Sequence, residues 1–377
     1  APSPAPMTLM RWRPPSMPEV IVGNLFKQFN ELAPRHSITY SGKRLFLFWG
    51  QFHEHSDVSI CNRRGDLPPE DNYAHERDIA RLDFAAVTDH GYNFDPYIWH
   101  TMAKIVRSNN DPGRFVTFLG EEWTSDQVRD KSGLGHYGHR NLIFANPRFP
   151  RWFNSRDMSK PTDIWAKLRG INFIHIPHQL ADTGNCPTDW RYVDEVAQPV
   201  AEIFQVRGSY EYEGAPRQAK RTISGHFIQD AWAQGVIIGV IASPDHGGGY
   251  GKAGVYAPSL TREAILDAIR QRHTYGTTAA KIVLEMRVNG HLMGEKIKLN
   301  APPKSVKVQV HAIGARDIAR VDVCRNNVFI YTRRPNAREV NFIFEDKAPL
   351  QSRAYYYVRI IQADEEIAWS SPVWLLP

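Results

Sequence analysis

Between Leu45 and Arg272 the chain alternates short apolar runs with segments of helical periodicity, which narrows the possible folds more than any other feature. The runs are LFLFW, DFAAV, RFVTFLG, NLIFA, NFIHI, AEIFQV and VIIGVIA; the helical stretches are 69–81, 96–108, 162–169, 216–234 and 261–272. Apolar strands separated by amphipathic helices build βα units around a parallel sheet or barrel. Ahead of them, Val20, Ile21, Leu25, Phe26, Phe29 and Leu32 recur at helical spacing and predict an outer helix over 17–33. After Tyr275 the helical signal stops. KIVLEMRV, VKVQVHAI, ARVDVCR, VFIYT, VNFIF, YYYVRII and WSSPVWL follow with turn residues between them, the pattern of an antiparallel β-sandwich. The expected organisation is an extension with an outer helix over 1–40, an α/β barrel over 41–278 and a sandwich over 279–377.

A chain of 377 residues that is 42% hydrophobic and 23% charged can bury sizeable cores, and its length suits two domains. No window approaches 18 uninterrupted apolar residues, so no transmembrane helix is expected. The net charge of +6 is scattered, with no basic run to mark a nucleic-acid or membrane partner, and it suits a small anionic substrate. Cys61, Cys186 and Cys324 are odd in number and far apart, which argues against a disulfide framework or a zinc finger. The opening APSPAP fits an end left by a signal peptidase or an artificial leader, so cytoplasmic and periplasmic or secreted locations both stay open.

Metal-capable side chains collect just beyond the predicted strand ends. His53 and His55 follow LFLFWGQF, Asp89 and His90 follow DFAAVT, and Glu121 and Glu122 follow RFVTFLG. His175 and His178 lie at the end of NFIHIPH, and Asp245 and His246 follow VIIGVIASP. Singly, each has an ordinary explanation: a His-x-His pair is more often surface or packing than ligand, TDH suits a turn, GEEW an exposed acidic pair, and PDHGGG a loop. Five groups on the edge where barrels gather functional residues point to one site.

FHEHSDVS, DFAAVTDHG, FLGEEWTS, GHRNLIF, FIHIPH and VIASPDHGG, in this order, resemble the metal motifs of the PHP superfamily, named for polymerase and histidinol phosphatase. The similarity covers residues 45–280. The tail, from REAILDAIRQRHTYGTT through GHLMGE to WSSPVW, resembles an uncharacterised bacterial branch of that superfamily. The resemblance implies a distorted seven-stranded (β/α) barrel holding two or three divalent ions, zinc, manganese or iron. It places His53, His55, Glu122 and Asp245 around a first ion, Glu122 as a bridge to a second ion with His139 and His178, and His90 and His246 at a third. Glu122 is preferred to Glu121 because the family's ligand directly precedes Trp-Thr. The chain departs from the pattern where Ile60, Cys61 and Asn62 replace a further ligand, where Gln51 replaces an acidic residue, and where Asp245 and His246 are adjacent.

Divalent ions bridged by a carboxylate lower the pKa of a water towards neutrality and stabilise oxygens that gain charge, which suits hydrolysis of phosphate esters. Asp245, His246 and His90 are the candidate catalytic groups. Arg140 and Arg207 are candidates for holding a phosphate or carboxylate, and ordinary exposed arginines are the competing explanation. His175 is a candidate substrate or supporting residue, or a packed histidine. Cys61 is a candidate thiolate ligand for zinc, with inert packing favoured. The sandwich aromatics Tyr355, Tyr356, Tyr357, Trp369 and Trp374 read as core, in a domain that covers the barrel or mediates assembly, including a homo-oligomer. The expected function is a metal-dependent hydrolase of a small-molecule phosphate mono- or diester. The alternatives are a hydrolase of C–N or C–O bonds with the same activated water, and a binder of metal or anions without turnover.

Overall fold

The computed structural model of the chain describes residues 35–61, 65–124, 137–148, 158–184, 186–247, 249–348 and 353–377. The helix expected over 17–33, and Asn62, lie outside them. The chain divides into two units, Ala1–His36 and Ser37–Pro377, and every element below belongs to the second.

The apolar runs become strands. β1 (Ser37–Tyr40) and β2 (Lys43–Gly50) are followed by β3 (Phe84–Val87), β4 (Val116–Trp123), β5 (His139–Phe144), β6 (Phe173–His178) and β7 (Val200–Gln205). Then come β8 (Gly208–Ser209), β9 (Gly239–Ala242), β10 (Lys252–Ala257) and β11 (Thr274–Thr277). Helices Pro69–Ala74, Pro96–Ser108, Pro161–Lys167, Ile228–Ala233 and Arg262–Arg270 fall within the expected stretches or start one residue ahead. Side-chain caps start two of them: Asp95 accepts the Ile98 N–H at 2.7 Å and Thr261 the Ala264 N–H at 3.2 Å. The helix expected over 216–234 contracts to Ile228–Ala233, because Pro216 has no amide hydrogen and Arg217 and Gly225 sit at φ 57° and 88°.

Only some neighbours have the parallel pairing that alternation suggests. β2–β3, β3–β4 and β7–β9 are parallel, whereas β4–β5, β5–β6, β2–β10 and β10–β11 are antiparallel. A parallel pair needs a long crossover, and Pro96–Ser108 supplies one between β3 and β4. Two apolar layers flank these strands. One joins Phe48, Phe84, Phe118, Ile176, Ile241 and Val255; the other packs Trp99, Met102 and Val106 of helix Pro96–Ser108 against Val87, Leu119 and Leu142. Each such side chain, fully buried, contributes roughly 1.5–3 kcal/mol.

The remaining strands are β12 (Val283–Val288), β13 (His291–Leu292), β14 (Lys296–Lys298), β15 (Val306–Arg325), β16 (Val328–Arg333), β17 (Ala337–Asp346), β18 (Ala354–Gln362), β19 (Ile367–Ser370) and β20 (Val373–Leu376). Apart from the parallel β14–β20 contact, their pairing is antiparallel. Two runs expected to be separate strands form the single β15, whose first half pairs with β12 and β17 and whose second half pairs with β16 and β18. A register shift between Ile313 and Ile318 accommodates the change of partner. β11 pairs with β19, so strands from both halves form one open 17-stranded sheet, beside a three-stranded sheet of β7, β8 and β9. The architecture is mixed α/β and rich in strand. Among the described residues no helix is long and apolar enough to cross a membrane.

Candidate metal centre

Strand alternation brings the candidate ligands together. Glu122 pairs with Asn141 across β4 and β5, and His139 pairs with His178 across β5 and β6, so Glu122, His139 and His178 share one face. His53 and His55 lie just past β2, on either side of Glu54, which bridges to Asp245. The Asp245 N–H donates to His53 O at 2.9 Å, and the His55 N–H donates to Asp245 O at 3.0 Å. Asp245 itself sits at φ 76°, a left-handed conformation that Asp tolerates better than most residues. The Glu122 N–H donates to Asp89 O at 2.9 Å, which ties the segment bearing His90 to the same edge. Gly120 permits the close approach of β4 and β5, since a Cβ there would fall 2.8 Å from Leu142 O.

The two oxygens of Glu122 serve different partners. Oε2 lies 2.9 Å from His55 Nε2 and 3.4 Å from His53 Nε2, while Asp245 Oδ1 lies 3.2 and 3.4 Å from the same His53 and His55 nitrogens. Oε1 lies 2.7 Å from His139 Nδ1 and 3.3 Å from His178 Nε2. Ligand atoms about 2.1 Å from a tetrahedral ion stand roughly 3.4 Å apart, and most of these spacings are close to that. His53 Nε2, both Glu122 oxygens and all four ring nitrogens of His139 and His178 are buried without a hydrogen bond. Buried polar atoms left so are costly, and their convergence fits cations. Two groups, His53–His55–Glu122–Asp245 and Glu122–His139–His178, could therefore hold metal ions.

Around these candidate ligands stand supporting residues, of which Glu202, Asp66 and Gln205 lie outside the motifs. Both Glu202 oxygens lie 3.1 Å from His53 Nδ1, fixing the ring so that Nε2 faces inward. Burial works against a charged His53, yet Glu202 and Asp245 hold its pKa well above the ordinary value. Ser59 Oγ lies 3.0 Å from His55 Nδ1 and donates to Asp89 at 2.7 Å; Thr124 Oγ1 is 2.8 Å from His90 Nδ1. Asp66 Oδ2 lies 3.0 Å from His246 Nδ1, and Gln205 Nε2 donates to Asp245 Oδ2 at 2.9 Å. Glu202 had one visible signal: a carboxylate inside the apolar run AEIFQV needs a buried partner. Burial opposes the charge on Glu122 too, but His90 and His178 bring its pKa well below the carboxylate range, while burial pushes His90 and His178 down to about 3.

The other candidates separate. Arg207 is at the centre: its guanidinium pairs with Asp245 Oδ2 and lies 3.4 Å from Asp182. His90 and His246 flank His55, with ring centroids at 4.8 and 4.5 Å. Cys61 is half-buried rather than packed inside, with Sγ 3.9 Å from His55 Nδ1, and forms a third group with His55 and His246. Arg140 and His175 are not brought to the centre. Arg140 pairs with Pro177 and His175 with Leu142, which puts both on the opposite face of β5 and β6 from His139 and His178. Arg140 is spent on the backbone carbonyls of Tyr137, Gly138 and Tyr192, and His175 Nδ1 accepts from Trp165 Nε1 at 3.2 Å. Both are fully buried, and burial lowers the pKa of each, Arg140 to about 9.

Comparison with known proteins gives distant relatives. The chain is similar to uncharacterized proteins of Chlamydia pneumoniae (23% identity; 96% of this chain, 60% of that protein) and Chlamydia trachomatis serovar D (21%; 87% and 57%). It spans about three-fifths of the length of these curated relatives. Among solved structures it is similar to a two-domain protein of Bacteroides vulgatus described as containing a predicted PHP-like metal-dependent phosphoesterase (TM-score 0.44, 12% identity, 90% of this chain and 98% of that one). A second is PsfC from Pseudomonas syringae (TM-score 0.34, 14% identity, 59% and 87%). The model of a family of unknown function, DUF3604, matches residues 91–218 and 240–319, more than half of the chain. The chain belongs to the DUF3604 family.

Proposed function

We propose that the protein is a metal-dependent phosphoesterase of the PHP type, acting on a phosphate mono- or diester of a small anionic molecule. The observation that carries this reading is the division of Glu122, with Oε2 facing His53 and His55 and Oε1 facing His139 and His178. A carboxylate so divided suits two ions, and the PHP-like order of the motifs points the same way. Bound divalent ions would supply a water of lowered pKa and positive charge for the oxygens of the transition state.

The chain's own residues complete the site. Asp245 turns Oδ1 to the histidines and Oδ2 to Arg207, so the arginine is fixed beside the centre with 22% of its side chain exposed to meet an anionic oxygen. His90, with Thr124 on Nδ1, and His246, with Asp66 on Nδ1, would hold a third ion, and His246 could instead donate a proton to the leaving group. The reading assigns residues 41–278 to a distorted seven-stranded barrel and 279–377 to a sandwich. Support for the barrel comes from β7 lying beside β6, from β9 lying beside β10 and β11, and from one apolar cluster shared by β2 to β7, β9 and β10.

The test is hydrolysis of p-nitrophenyl phosphate and its bis ester by protein supplied with manganese, zinc or iron. Turnover that disappears in Glu122→Gln is expected. Full metal loading with turnover of C–N or C–O substrates but of neither ester moves the activity to the other hydrolase class; loading without any turnover makes the protein a binder.

A further inference from the structure

Arg207 sits at the tip of a tight hairpin. Gln205 of β7 pairs with Gly208 of β8, so Val206 and Arg207 form the two-residue turn. Gly208 has φ 126°, and a Cβ there would fall 2.6 Å from Arg217 O, so the return limb starts at a position only glycine fits. At the tip, the guanidinium lies between Asp245 and Asp182, and Asp182 also accepts the Tyr210 hydroxyl at 3.2 Å.

Four residues beyond Arg207 the return limb reaches Glu211, which is fully buried. Its carboxylate accepts from three groups, all on β18 and β19: Tyr357 Oη at 2.7 Å, Arg359 Nη1 at 2.9 Å and Trp369 Nε1 at 2.9 Å. Arg359 is itself shared with Asp322 at 2.9 Å and lies 4.3 Å over the Phe329 ring. A second tie follows, from Arg217 to Glu366 at 3.0 Å. A carboxylate at this depth is tolerated only with its donors in place, so the hairpin's return limb and the C-terminal strands are committed to one another. Glu122, His139 and His178 lie on β4 to β6 and His53 and His55 just past β2; the hairpin's link to them is Glu202 behind His53, which lies on β7 and not on the return limb that carries Glu211.

We propose that the C-terminal β-structure fixes the anion-binding arginine: Glu211 is a positioning residue, clamped by Tyr357, Arg359 and Trp369, that holds the β7–β8 hairpin so that Arg207 stays beside the metal centre. This rests on Arg207 being the phosphate contact. It gives the C-terminal strands a part in substrate affinity without any of their side chains touching substrate.

The test is a double-mutant cycle on the full-length, metal-loaded protein, titrated calorimetrically with inorganic phosphate, with metal content and amide exchange over 206–212 followed in parallel. Tyr357→Phe removes one donor to Glu211 at almost constant shape, and Trp369→Phe removes another as an independent check. Each is expected to weaken phosphate binding about threefold to tenfold and to speed exchange over 206–212, with metal content unchanged. In an Arg207→Met background the same substitutions should add nothing further. Equal weakening in both backgrounds, or no change in either phosphate binding or exchange, overturns the inference while leaving an effect of Arg207→Met intact. Loaded wild-type protein that takes up no phosphate, or Arg207→Met that binds it as well as wild type, overturns the anion-binding role and this inference with it.

Discussion

Alternation along β4 turns Glu122 inward to the histidines and Glu121 outward, onto the face that carries Leu119 and Trp123. Burial pushes the Glu121 carboxyl up to about 8, so it is neutral at pH 7 and an amide replaces it almost like for like. Glu121→Gln should therefore keep full metal content and change stability by less than about 1 kcal/mol. Glu122→Gln should lose at least one ion per chain, because a neutral amide cannot balance two cations; elemental analysis of both variants checks this, and exchanged outcomes would move the ligand by one residue. Glu202→Gln should weaken the ion at His53 about tenfold to a hundredfold by removing the carboxylate behind the ring, read by competition with a chelator. Cys61 Sγ stands farther from His55 Nδ1 than Ser59 Oγ does, 3.9 against 3.0 Å. Cys61→Ser should accordingly retain both ions held through Glu122, and loss of one metal equivalent in that variant would make the cysteine a ligand.

The elements legible in the sequence are those whose period is clean. Helix Pro96–Ser108 and β3 to β6 stand close to where their patterns put them, because each buries one stripe or both faces among apolar neighbours. β10 and β11 were hidden: KAGVYA and TYGT are short and rich in small or polar residues, and tertiary pairing with β2 and β19 makes them strands. The gathering of His53, His55, Glu122, His139, His178 and Asp245 was legible through their place at strand ends, whereas Arg140 and His175 fall on the other face of β5 and β6, because spacing alone does not say which face of a strand meets the centre. The stretch 69–81 became helix Pro69–Ala74 followed by a π-turn, His75–Ile79, that buries Glu76. Burial raises Glu76 to about 7 from its ordinary 4.5. A raised acid favours the folded state below the unfolded pKa and loses that contribution as pH rises through the folded one, here on the order of 3 kcal/mol between about pH 4.5 and 7. Glu76→Gln should become more stable relative to wild type across this window, measured as the difference between their urea midpoints at pH 5 and pH 8; a difference independent of pH would contradict it.

At the scale of the whole molecule the chain pairs an N-terminal half that gathers the buried histidines and carboxylates with a C-terminal β-rich half joined to it through β11–β19 and the buried Glu211 network. That junction was not readable beforehand, since Glu211, Tyr357, Arg359 and Trp369 are far apart in sequence and carry no motif between them. What unifies the molecule chemically is a fully buried set of histidine nitrogens and carboxylate oxygens with few hydrogen bonds of their own. The most direct measurement is therefore the metal content of protein purified without chelators, by elemental analysis. Two or more transition-metal ions per chain are expected, falling in Glu122→Gln. Less than one ion per chain, with none taken up on soaking in manganese, zinc or iron, would contradict the account at its centre.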